Sequence, residues 1–172
     1  GLGEADLPYE ALQDPYGIAF WPNFKGRDGC RTPMPWNGDG QAGFTGGEPW
    51  LPIADSHRTR SVSLQENDPH SVLNAVRAFL HWRREQPALV AGSIVFLDTP
   101  EPVLAFVRQC DPATASGDSL LVVFNLSDAV VQWPLPERMA ARAIAAPGVR
   151  AGTVAAGMAQ LPARGVLYAV LD

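Results

Sequence analysis

Gly26-Arg27-Asp28-Gly29-Cys30-Arg31-Thr32-Pro33-Met34-Pro35-Trp36 is the densest polar cluster of the chain, with two guanidinium groups and one carboxylate inside five residues. Glycines and an aromatic ring flank it. These are the parts that sugar recognition uses. Arginine and aspartate make directional hydrogen bonds to vicinal hydroxyls, and aromatic faces cover the apolar side of a pyranose. On spacing alone, the reading these residues favour is a loop stapled by an Arg–Asp pair, with Trp36 as its hydrophobic plug.

The cluster lies in an unusual setting. Residues 1–60 hold 10 of the 16 glycines, 7 of the 16 prolines and three of the five tryptophans. Glycine and proline interrupt both helix and strand, so this segment reads as long, structured loops. Loops of that length usually carry function, and they need a scaffold beneath them. Aromatic residues punctuate it: Tyr9, Tyr16, Phe20, Trp21, Phe24, Trp36, Phe44 and Trp50.

Beyond the loops the periodicity changes twice. Val72, Leu73, Val76, Phe79 and Leu80 fall on one helical face, so the spacing predicts a helix over 68–86. Asp68 is its expected cap and Pro69 its first residue. Pro87 ends it by restricting Gln86. From Ser93 the pattern becomes that of short strands, at 93–97, 103–108, 119–126, 130–133, 140–145, 152–156 and 165–171. Turn clusters separate them, including Asp111–Asp118. Six or seven strands at this spacing predict an antiparallel sandwich.

Composition sets bounds on function. The 172 residues carry Lys+Arg 13 and Asp+Glu 18, a formal net charge of -5, and 47% are hydrophobic. Such a chain can bury a core, and with no basic run it is not expected to bind nucleic acid or an anionic membrane. No apolar run approaches the length of a membrane span. Cys30 and Cys110 form no metal or disulfide framework; they could pair with each other, but two free thiols in a cytosolic protein are the favoured reading. His57, His70 and His81 lack metal-ligand spacing and are expected at the surface or with satisfied ring nitrogens. Asn37-Gly38-Asp39-Gly40-Gln41 with Glu48 echoes a calcium loop but reads as a solvated turn. Asn125-Leu126-Ser127 is formally a glycosylation sequon, yet it follows a strand and reads as a turn. No metal or cofactor is expected. Gly1 is not Met and no signal segment follows it, so the chain reads as a fragment or a cut domain.

Several motifs in order carry a resemblance. The run Gly26–Trp36 is followed by Ala42-Gly43-Phe44-Thr45, Pro49-Trp50-Leu51-Pro52 and Asp68-Pro69-His70-Ser71-Val72-Leu73. Then come Arg83-Arg84-Glu85-Gln86-Pro87-Ala88-Leu89 and Phe124-Asn125-Leu126-Ser127-Asp128. Over about residues 1–135 the chain resembles the alpha-glucosidases of glycoside hydrolase family 13, in the alpha-amylase superfamily. Gly165-Val166-Leu167-Tyr168 also ends as such proteins do.

The resemblance implies a fold: a fragment of a multidomain α/β enzyme. Residues 1–90 would be the C-terminal end of a catalytic (β/α)8 TIM barrel, comprising its last active-site loop and last helix. Residues 91–172 would be an all-β antiparallel sandwich domain. It also implies a retaining glycosidase acting on terminal alpha-linked glucose of short oligosaccharides, by hydrolysis or transfer. The family's catalytic carboxylates come from earlier barrel strands, so this chain contains no catalytic residue and is expected to be inactive alone. Its partners would be an alpha-glucoside and the N-terminal barrel segment of the same protein.

Site residues follow the motif match. The family's arginine that hydrogen-bonds glucose hydroxyls falls on Arg27. Asp28 and Arg31 are expected to support it by orienting Arg27 and fixing the loop. Trp21, Phe24 and Trp36 are further substrate-binding candidates, and each would equally be loop packing. Related transglucosylases, sucrose isomerases and trehalose synthases share much of this region. A non-catalytic sugar-binding or structural β-domain is the rival from another class, weakened because Trp133 is the only tryptophan after residue 90. An interaction protein, like the hydrolase-like subunits of some transporters, would need a membrane anchor. One lysine against 12 arginines is a skew of high-GC bacterial genomes and fits a bacterial cytoplasmic enzyme.

Overall fold

The computed structural model describes residues 2–110 and 117–172. Gly1 and most of the expected turn cluster at Asp111–Asp118 lie outside the described residues. Internal contacts divide the chain into two compact units, Gly1–Asn74 and Ala75–Asp172.

The first unit is built from short turns of helix joined by loops. Single turns at Tyr9–Ala11 and Asp28–Cys30 accompany α1 (Pro15–Phe20), α2 (Asp55–Arg58) and α3 (Val62–Glu66). No described residue of this unit is in a strand. Its apolar centre is small: Ala5, Leu7, Leu12 and Leu51 are buried together, with Trp21 and Ala54 packed against them. Polar groups supplement that centre. The buried His57 places Nε2 against the Gly3 carbonyl at 2.8 Å and Nδ1 against the Thr32 hydroxyl at 3.3 Å. A carbonyl only accepts, so Nε2 is the donor to Gly3.

Helix α4 (Val72–Arg84) is shorter than its sequence pattern. Asp68 turns its side chain to the His70 N–H, which makes a turn rather than a helix start. Ser71 caps instead, its Oγ accepting the Asn74 N–H three residues on at 3.2 Å. At the other end Gln86 is extended and Pro87 opens a separate helix, α5 (Pro87–Ala91), that the sequence pattern does not show.

The described residues of the second unit form eight antiparallel strands. They are β1 (Ser93–Phe96), β2 (Val103–Gln109), β3 (Leu120–Asn125), β4 (Val131–Pro134), β5 (Ala141–Ile144), β6 (Thr153–Ala155), β7 (Met158–Leu161) and β8 (Val166–Leu171). Seven lie where the sequence pattern puts them, and β7 is additional. It is hidden in the sequence because it follows β6 after only Ala156-Gly157, both at positive φ (49° and 73°), so the two strands read as one segment.

The strands form a five-stranded sheet in the order β1-β2-β3-β8-β5 and a three-stranded sheet in the order β4-β7-β6. Period-two alternation sends Val103, Ala105, Val107, Leu121, Val123, Leu167 and Ala169 to one face of the larger sheet. There they meet Trp133, Ala159 and Leu161 of the smaller sheet. On the opposite face Leu120, Val122, Val166 and Tyr168 meet Ala88 and Leu89 of α5, with Phe79 and Trp82 of α4 packed against them. Both faces of β3 are therefore covered, which is why Leu120-Leu121-Val122-Val123 is apolar throughout and does not alternate. Trp82 stands edge-on to Tyr168 with centroids 5.0 Å apart. Burial pushes the Tyr168 phenol above its ordinary value.

The end of β3 carries a buried amide. Asn125 Nδ2 donates to the carbonyls of Ala129 at 2.7 Å and Pro162 at 2.9 Å. Its Oδ1 accepts the Ser127 N–H and hydroxyl at 2.9 and 2.8 Å. The sequon asparagine is thus consumed by the fold. Asn125→Ala should destabilise by about 2–4 kcal/mol, because it leaves two loop carbonyls unpaired and dissolves the turn. The adjacent exposed Leu126→Ala should stay within roughly 0.5 kcal/mol. Denaturant melts of the two variants side by side check the difference.

Candidate functional site

The site begins with glycine. Gly26 sits at φ 72°, and a Cβ there would stand 3.0 Å from Gly17 Cα and from Asp14 Cβ. Only glycine allows the stretch of chain leading into Arg27 to lie this close to α1. That approach brings Arg27 beside Asp14, thirteen positions earlier.

Asp14 is the centre of the polar arrangement. Its side chain is 1% exposed. Oδ1 caps α1 by accepting the Tyr16 N–H at 3.0 Å, with Pro15 at the first helical position. Oδ2 accepts both the Arg27 N–H at 3.1 Å and the Arg27 Nε–H at 3.3 Å. Arg31 Nη1 lies 3.9 Å from the same oxygen. The Tyr16 N–H, then the Arg27 backbone and guanidinium, hold this carboxylate below its ordinary value against the opposing effect of burial.

Asp28 lies one layer deeper and is 0% exposed. Its Oδ2 accepts the backbone N–H groups of Gln13 and Asp14 at 2.6 and 2.7 Å. Its Oδ1 is buried with no hydrogen-bond partner among the described residues. The side-chain partner of Arg27 is therefore Asp14, and Asp28 acts on the backbone that carries Asp14. The staple expected inside the 27–31 run is thus made from outside it, and Asp14 is the residue that sequence reasoning misses. The available signal is Asp14-Pro15, the combination that starts a helix.

The Arg27 side chain is 65% exposed and that of Arg31 43%. Arg27 is tied only at Nε, so its two terminal amino groups have no partner among the described residues. A planar guanidinium held by its inner nitrogen presents its outer edge as a fork of donors. Of the aromatic candidates, Trp21 packs on the small core. It lies 5.7 Å from the Tyr9 ring, and Lys25 Nζ stands 5.2 Å above it. Lys25 also pairs with Asp6. Phe24 and Trp36 keep exposed faces, whereas Pro33 and Pro35 anchor the backbone on either side of the exposed Met34. The Asn37 loop is closed by its own side chain, whose Oδ1 accepts the Asp39 N–H at 3.1 Å.

Residues 3–92 match the family described as alpha amylase, catalytic domain, and this is more than half of the chain. The chain belongs to that family. The match ends one residue before β1. This alpha-amylase-family chain is 49% identical over 135 residues to a probable alpha-glucosidase of Rhizobium meliloti (strain 1021), covering 78% of the chain and 24% of that protein. It is 38% identical over 129 residues to a probable oligo-1,6-glucosidase 2 of Bacillus subtilis (strain 168), covering 73% of the chain and 22% of the relative. Among solved structures, the alpha-glucosyl transfer enzyme XgtA superposes with a TM-score of 0.86 at 53% identity, over 99% of the chain and 31% of that structure. The chain thus spans about a quarter of the length of the curated relatives it matches. No described helix is long and apolar enough to cross a membrane.

Because the Asp14 value is lowered on folding, its contribution to stability is complete above the ordinary aspartate range near pH 4 and is lost as pH falls through the folded value. The stability gap between the wild type and Asp14→Asn should therefore be constant from about pH 7 to 5 and should shrink below about pH 4. Thermal melts of both proteins across that range check the sign. A gap that widens toward acid would contradict it.

Proposed function

We propose that this chain is the C-terminal portion of a bacterial, cytoplasmic alpha-glucosidase that removes terminal alpha-linked glucose from short oligosaccharides by a retaining mechanism. In this reading residues 1–90 close the catalytic (β/α)8 barrel with its last active-site loop and last helix, and residues 91–172 form the C-terminal β-domain. The observation that carries it is the Arg27 guanidinium, presented outward from a buried carboxylate within the segment that matches the family.

The chemistry assigned to Arg27 is recognition. Its free amino groups donate hydrogen bonds to hydroxyls of the glucose unit in the reacting subsite, which fixes the ring relative to the scissile bond. Asp28 and Arg31 support the loop, and Phe24 and Trp36 offer apolar faces to the sugar. The nucleophile and the acid/base come from barrel strands that precede this chain. The apolar stripe Val72, Val76 and Leu80 supports the barrel reading, because it lies exposed at a four-residue spacing on α4. A helix with such a stripe expects a neighbour on that side. Glucosyl transfer is the second reading, favoured by the 53% identity to an alpha-glucosyl transfer enzyme.

Two measurements test the proposal. The 172-residue chain, assayed alone with a chromogenic alpha-glucoside, should show no turnover, and turnover that tracks the purified chain would contradict the placement. In the full-length protein Arg27→Ala should lower kcat/KM by about one to two decades, the value of roughly 1.5–3 kcal/mol for a charged hydrogen bond, alongside the decrease in Tm that loss of its Asp14 contact brings. Arg27→Lys should recover only part of that loss, because the planar fork is gone. Near-normal kinetics with a lowered Tm would make Arg27 a loop staple.

A further inference from the structure

The two oxygens of Asp14 have separate tasks. Oδ1 faces the Tyr16 N–H and starts α1, while Oδ2 faces Arg27 twice, at the backbone N–H and at Nε–H, and lies 3.9 Å from Arg31 Nη1. The backbone of Asp14 is itself held by Asp28, so the carboxylate has little freedom to follow the arginines. A long side chain that is 65% exposed would otherwise sample many rotamers. Tied at Nε, it keeps one direction, and both outer amino groups are left free to donate. Such an arrangement lowers the ordering cost of binding a polyol.

We propose that Asp14 is a positioning residue for substrate recognition, setting the direction of the Arg27 fork through Oδ2. The inference rests on the sugar-binding reading of Arg27. It assigns Asp14 no contact with the substrate.

Asp14→Asn isolates the effect. Asparagine caps a helix as well as aspartate, so the amide oxygen keeps the Tyr16 bond, and the NH2 then meets the Arg27 Nε–H donor to donor. The experiment measures kcat, KM and Tm for full-length wild type, Asp14→Asn, Arg27→Ala and the double variant on a chromogenic alpha-glucoside. The expected result is a loss of about tenfold in kcat/KM for Asp14→Asn in the wild-type background, and of less than about twofold when Arg27 is already alanine. A loss of equal size in both backgrounds would show that Asp14 acts on the fold and would overturn the proposal, as would unchanged kinetics for Asp14→Asn. If Arg27→Ala alone leaves kcat/KM intact, the sugar-binding reading fails and takes the inference with it, a result distinct from additivity. Should Asp14→Asn not fold, Asp14→Ser keeps a capping oxygen too short to hold Nε, and the same set of four proteins built on it separates the same outcomes.

Discussion

Two carboxylates withdrawn from water organise the first 74 residues. Asp28 fixes the backbone at Gln13 and Asp14, and Asp14 fixes the start of α1 and the arginines that follow. Burial of a carboxylate is costly unless donors replace water, and backbone N–H groups supply most of them here. The arrangement compensates for a small apolar core of four buried residues. A loop region with so small a buried apolar core keeps its shape through directional bonds, and directional bonds also aim side chains.

The second unit is held in the opposite way. Its larger sheet is sealed on both faces, by a three-stranded sheet on one and by α5 with part of α4 on the other. Shape there follows from apolar burial and strand register. One buried amide, Asn125, closes the turn after β3 and ties it to the carbonyl of Pro162, directly after β7. The two units thus differ in what sets their shape, directional bonds in the first and apolar burial with strand register in the second.

Much of this is legible in the residues themselves. Seven of the strands announce their positions as short apolar segments set between turn clusters, and Pro87 announces the end of α4. The start of α4 is misleading because Asp68-Pro69 has the composition of a cap, whereas the Ser71 hydroxyl makes the bond. Strand β7 is hidden by a two-residue connection, and α5 by its brevity. At the site, composition singles out the arginines. It cannot show that Asp14 is the carboxylate beside them, because that pairing depends on the close approach of Gly17 and Gly26. Local sequence reports local bonds, and a contact across thirteen positions needs the folded path.

The single lysine gives the site an unplanned handle. Lys25 is two residues from Arg27, and its amine stands over Trp21 and beside Asp6. Within this chain, an amine-directed reagent finds one side chain to modify. A dye attached there would sit next to an indole able to quench it, on the same loop that presents the fork of donors. A change in the position of that loop would then change the emission of a label whose position chemistry alone has chosen.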